Sequence, residues 1–195
     1  IGNTENRNEG PESLPALTPE GPWRYADMEV DVKRDRVICV REDHSDPRSV
    51  VNELVAICGS AKEVTVLVSG ADFYSNPRVS QDGNRLCWLA WNLPNMPWDG
   101  CGLWSANIRG DGSLGQQVLI AGGQDEWVFQ PEWSPGGELY FVAETTGWMN
   151  LYRSVDKKVE PVVLKDSEFA TPQWVFGMRT YGFASENLVV CAYNE

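Results

Sequence analysis

Two stretches decide the fold: FYSNPRVSQDGNRLCWLAW at 73–91 and WVFQPEWSPGGELYFVA at 127–143. Each opens on an aromatic and carries a proline, Pro77 or Pro131. Each then passes through a short turn, QDGN or PGG, into an apolar run. An earlier copy, WRYADMEV at 23–30 followed by RVICV at 36–40, lacks the proline. Working outward, a third run follows in every unit: ELVAI at 53–57, GLWSANI at 102–108 and NLYRSV at 150–155. A fourth closes each: EVTVLV at 63–68, QQVLIA at 116–121 and VEPVVL at 159–164. FATPQW at 169–174 reads as one more opener, with Pro172, so Trp23, Phe73, Trp127 and Phe169 head successive units.

Four short strands per unit, repeated every 40–50 residues or so, is the pattern of a β-propeller blade. The runs are rich in Val, Leu, Ile, Trp and Tyr and end at Gly, Asp, Asn or Pro. A β-sandwich has similar strand lengths but lacks this fixed order of features. The expected fold is therefore all-β, a partial propeller of about three and a half blades. Blades are expected at about 23–70, 71–123 and 124–167, with a half blade at 168–195 whose second strand is LVVCAY. Together they make a propeller segment over 17–195, preceded by a flexible segment over 1–16.

Blade topology assigns the turns to two rims. Turns between strands one and two, and three and four, share one rim: Gln81–Asn84, Gly110–Ser113 and Asp156–Lys158, all with ordinary polar turn chemistry. The other rim carries Phe73, Tyr74, Trp98, Trp127, Phe129 and Trp148, together with the long insertion WNLPNMPWDGCG at 91–102. Its prolines and glycines stiffen the loop around Trp98 and Asp99. The rim aromatics either staple neighbouring blades together or face a partner.

The chain has 195 residues and a formal charge of −12. Such acidity opposes nucleic-acid binding, which selects basic faces. No apolar run approaches the roughly 20 residues of a membrane helix. The five cysteines form no C-x-x-C pair, and Cys39, Cys87 and Cys191 sit in apolar runs, as reduced core thiols do. A reducing, cytoplasmic setting is expected. His44 is the single histidine and lies in the polar stretch REDHSD. No G-x-S-x-G elbow occurs, so no catalytic residue is assigned. No metal site and no cofactor are expected. Gly110–Gly115 spells G-x-G-x-x-G, but between two strands, where it reads as a hairpin turn.

RYADMEVD at 24–31, VNELVAI at 51–57, LVSGADFYSNPRVSQDGNRLCWLAWN at 67–92, PNMPWDG at 94–100, GWMNLYR at 147–153 and PQWVFGM at 172–178 resemble the propeller of prolyl oligopeptidase family serine peptidases. The dipeptidyl aminopeptidase/acylaminoacyl-peptidase-like branch is nearest. That resemblance implies an N-terminal propeller capping a C-terminal α/β-hydrolase domain that carries Ser, Asp and His. It also implies peptide substrates, admitted by size, and no nucleic-acid or membrane partner. None of the triad has a counterpart within 1–195. Departures from the family pattern are Leu93 in place of His, Gln81 in place of Pro, Gly136 in place of Asp, and Cys101-Gly102 in place of a polar pair. On this reading Asn95, Trp98, Asp99 and Trp148 mark the rim that gates peptides or docks on the hydrolase. The alternative is a stand-alone TolB-like propeller acting as a protein-interaction scaffold. A Trp-rich carbohydrate binder is the weaker rival, because the Trp spacing follows the blades.

Overall fold

A computed structural model describes residues 16–59, 62–156 and 158–194. The flexible segment expected at 1–16 falls outside them except for its last residue. Three four-stranded antiparallel sheets follow one another along the chain. The first holds β1 (Trp23–Asp31), β2 (Arg36–Asp43), β3 (Val51–Cys58) and β4 (Glu63–Val68) in sequence order. The second holds β5 (Phe73–Val79), β6 (Arg85–Trp91), β7 (Gly102–Asn107) and β8 (Val118–Gly122). The third holds β9 (Val128–Trp133), β10 (Leu139–Glu144), β11 (Met149–Val155) and β12 (Lys158–Pro161). A two-stranded sheet of β13 (Tyr181–Ser185) and β14 (Leu188–Cys191) ends the arc. This is a partial β-propeller. No helix among the described residues is long and apolar enough to cross a membrane.

The half blade corrects one expectation. FATPQW at 169–174 is not a strand; the opener is YGFAS at β13. Phe169 and Ala170 are instead buried in the core. The aromatic and the proline imitate an opening strand, but here they serve a link between blades.

The middle strands of the second and third blades are buried on both faces, and the two faces go to different cores, whereas Cys39, Val55 and Ile57 of the first blade pack only with Leu17, Tyr25 and Val64. Leu86 and Trp88 pack with Ile38, Val40, Leu54 and Val68 of the first sheet. Cys87 and Leu89, one step along, pack with Val128, Leu139 and Phe141 of the third. In β10, Leu139 and Phe141 face back while Tyr140 and Val142 face forward onto Phe169 and Tyr181. The period of two in a strand thus makes each of these two blades a shared wall between two cores.

Inner strands carry a repeated irregularity. Asp27, Asn76 and Gln130 all have positive φ, at 51°, 52° and 49°. The ladder register shifts at each of these places. These bulges turn side chains toward the neighbouring blade. Asp27 Oδ2 accepts the Asn76 N–H at 2.6 Å. Gln130 Oε1 accepts the Thr180 N–H at 2.6 Å, and its Nε2 donates to Tyr181 O at 2.8 Å.

All five cysteines are free thiols. Cys39 and Cys87 are fully buried, as their apolar runs imply, whereas Cys191 is only half-buried on the terminal sheet. Cys101, which follows a polar loop in sequence, is also buried, and burial pushes its thiol up to about 12.

Candidate functional site

The hairpin rim is tied by basic side chains reaching to the next blade. Lys33 Nζ donates to Asn84 Oδ1 at 2.6 Å, and Arg34 donates to Gly83 O at 2.7 Å. Arg85 reaches Gly137 O in the same manner. Asp82 organises its turn by accepting the Ser80 hydroxyl and the Asn84 N–H, which hold its carboxyl down to about 2. Gly110–Ser113 is a turn, with the Gly112 N–H donating to Arg109 O at 3.0 Å. These groups are spent on one another.

The opposite rim is different. The stretch between β6 and β7 folds back over the link from β8 to β9. Asn95 Nδ2 donates to Gln124 O at 2.6 Å. Asp99 Oδ2 accepts the Met96 N–H at 2.9 Å and shapes the tip of the loop. Asp72 Oδ2 accepts the Leu93 N–H at 2.9 Å, and Asn92 Oδ1 accepts the Asp72 N–H at 2.8 Å, pinning the loop base to the start of β5. Leu93-Pro94 is a cis peptide. Gly100 passes so close to Gln124 O that no side chain fits there. The stiffness expected from composition thus has definite anchors.

Trp98 is half-buried and packs on Trp174, with ring centroids 4.2 Å apart. Trp174 belongs to the link that sequence alone assigns to a strand. That link crosses to the second blade, where Gln173 Nε2 donates to Ser75 Oγ and Asn76 Oδ1, each at 3.0 Å. The crossing leaves Trp174, Val175 and Phe176 exposed, by 70%, 65% and 46%. Leu93 and Met96 of the loop are exposed as well.

Of the residues named from sequence, Asn95, Trp98 and Asp99 therefore share one anchored loop. Asn95 and Asp99 build it, and Trp98 extends it onto the crossing link. Trp148 stands apart, partly exposed between β10 and β11, with no ring contact or hydrogen bond to the other three. Tyr74 and Phe129 are buried between blades, and Trp127 packs against two of the cores. Trp174 and Gln173 were missed, because their neighbours are 76 and nearly 100 residues away in sequence.

Under this rim the inner strands bring charges together. Glu29, Arg78 and Glu132 each lie two residues beyond a bulge. Arg78 is 3.5 Å from Asp27 and 3.4 Å from Glu132, and Arg179 is 3.1 Å from Glu132. Glu29 accepts the Val79 N–H at 3.0 Å, and burial raises its carboxyl above the ordinary range. His44 sits outside this region, 2.9 Å from Glu42. No cluster of three or more His, Cys, Asp or Glu positioned to hold a metal occurs among the described residues.

Solved structures share this architecture. The chain superposes on a puromycin hydrolase with a TM-score of 0.83 and 33% identity, over 91% of this chain and 29% of that one. A Mycobacterium tuberculosis puromycin-hydrolyzing peptidase matches at TM-score 0.82 and 29% identity, over 92% and 30%. Prolyl oligopeptidase B from Galerina marginata matches at TM-score 0.61 and 13% identity, over 88% and 24%, which is a likeness of fold. The chain spans less than a third of the length of each of these proteins. No protein-family model matches the chain, and no curated protein matches it.

Proposed function

Because this chain resembles the propeller part of prolyl oligopeptidase family serine peptidases in fold, and shares 33% of its aligned residues with a puromycin hydrolase, we propose that it gates and docks on a hydrolase domain of the same protein. The partner is a C-terminal α/β-hydrolase carrying the Ser, Asp and His that do the chemistry. The propeller's work is to admit short peptides or small amides and to keep water and folded proteins out. The solved neighbours named for puromycin hydrolysis support a small amide as substrate.

The observation that carries this reading is the anchored aromatic shelf of Trp98, Trp174, Val175 and Phe176. Contiguous exposed apolar surface on an otherwise acidic protein marks an interaction site. Hydrogen bonds from loop and link to the blades hold the shelf, so docking would require little ordering. Asn95 and Asp99 position it, and Trp148 is a separate, partly exposed aromatic between β10 and β11. Five unpaired thiols suit a reducing compartment, and the cytoplasm is part of the proposal.

The test is to read the coding sequence on both sides of this segment and express the whole protein. A downstream G-x-S-x-G followed by Asp and His, with cleavage of short chromogenic peptides, is the expected result. In that protein Trp98→Ala should raise KM or admit longer peptides, with a melting temperature within a few degrees of the parent. A large fall in melting temperature with unchanged selectivity would sink the gating role. A frame that encodes only further blades would leave the scaffold reading in its place.

A further inference from the structure

A cavity of about 540 Å³ lies between the first and second blades, beneath the loop that follows β6. Its volume falls within the roughly 300–1,000 Å³ of small-molecule sites. Its walls come from all four strands of the second blade or their flanks, with Val68 and Ser69 closing the side toward the first. The lining contains no Asp, Glu, Lys, Arg or His, in a chain whose formal charge is −12. What it does contain is Trp88, Trp91 and Trp104 together with Asn95, Gln117 and Gln124.

Much of the polar chemistry here is unspent. Asn95 gives its amide nitrogen to Gln124 O, which leaves Oδ1 as an acceptor. Asn92 gives its Oδ1 to the Asp72 N–H, which leaves the NH₂ as a donor. The side chains of Gln117 and Gln124 and the indole N–H of Trp104 have no hydrogen-bond partner among the described residues. Gly102, lacking Cβ, lets the Trp104 indole lie against the backbone, since a Cβ there would meet Nε1 at 2.8 Å. The roof is the pinned loop described above, so the cavity is formed before any ligand arrives.

From this lining we infer that the cavity is a binding site for a neutral carbohydrate of one or two rings. Carboxamides both donate and accept, as hydroxyl groups do. Trp88 is buried in the blade core, whereas Trp91 and Trp104 are only partly buried and offer apolar surface to the C–H groups of a pyranose. An ionic ligand would lose its hydration with no countercharge in return, which excludes phosphorylated sugars and the charged ends of free amino acids and short peptides. The site shares the loop after β6 with the peptidase reading through Asn95, but it lies under the base of that loop, whereas the shelf is made where Trp98 meets Trp174, and sugar titration reads it apart from peptide selectivity.

The test titrates the chain with maltose and with cellobiose, followed by tryptophan fluorescence and calorimetry. Glucose 6-phosphate, glucuronic acid and N-acetyl-leucinamide serve as comparisons. Millimolar binding of at least one disaccharide is expected, with the charged sugars bound at least about fivefold more weakly. Gln117→Ala, Gln124→Ala and Trp104→Phe should each weaken binding by about fivefold, the worth of one hydrogen bond. The two glutamine side chains are exposed, so those variants keep the fold. Absence of disaccharide binding up to about 50 mM, where a millimolar site saturates, overturns the inference. So does binding that the three variants leave unchanged, or binding of the leucinamide in preference to both sugars.

Discussion

Asp27, Asn76 and Gln130 occupy one position in three successive blades, and each side chain bonds outside its own blade: Asp27 and Gln130 to the next inner strand, Asn76 to Gln173 of the crossing link. A left-handed residue breaks the ladder and frees a polar side chain to turn out of its own sheet. Two residues on, Glu29, Arg78 and Glu132 alternate in sign. Arg78 is therefore flanked by acids from both neighbouring blades, and its side chain is 10% exposed. Removing a partner from a buried ionic group costs more than the pair's net worth, because uncompensated charge is left behind. Arg78→Ala should destabilise the chain by about 3 kcal/mol in urea or guanidinium unfolding, the usual cost of breaking a buried pair. A loss below about 1 kcal/mol, the range of surface pairs, would show that water already screens the cluster. Sequence displays the proline after Asn76 and Gln130 but not the turned backbone. Nothing local distinguishes Asp27 as the third member, since its partner Asn76 is 49 residues away.

At the scale of elements, strands and loops were legible to different degrees. The runs EVTVLV and RLCWLAW are strands over the same residues, because alternation and β-branched content act locally. QQVLIA begins its strand only at Val118, and VEPVVL ends its strand at Pro161. Outer strands pair on one side and fray where proline removes a donor. FATPQW misleads for the converse reason: its composition is that of an opener, but Gln173 finds its partners in another blade. The loop after β6 shows its stiffness in composition and its anchors only in three dimensions. Gly100 is the tightest of these. A methyl group there would press on Gln124 O and come within 2.7 Å of Asn95 Nδ2. Gly100→Ala should cost about 2 kcal/mol, as overpacking does, and should detach the loop from the 122–126 link. Faster amide exchange or proteolysis within 92–100 would report the detachment; an unchanged pattern with unchanged stability would refute it.

At the scale of the whole molecule, three cores among the described residues join consecutive blades, a fourth belongs to the first blade alone, and the arc has two ends. Met28 and Val30 are exposed at 54% and 62% on the first inner strand, and Leu188 and Val190 at 55% and 60% on the last strand. Repeat folds bury their faces on neighbours, so such surfaces drive association when left uncovered. The 195-residue chain should sediment as a concentration-dependent mixture of monomer and larger species. Leu188→Lys with Val190→Lys should shift it toward monomer; a monomer at all concentrations in the parent would contradict this. The propeller class, the four-strand unit and the polar chemistry of the hairpin rim were determined by sequence alone, because hydrophobic period and turn residues act over a few neighbours. Asn95, Trp98 and Asp99 were legible as one rim loop for the same reason. Only the tertiary structure decided that Trp174 and Gln173 complete that rim, that Trp148 stands apart, and that an uncharged cavity lies between two blades. The rim and the cavity are made by residues 29 to 98 apart, and their juxtaposition depends on how blades turn about a common axis, which no local pattern encodes.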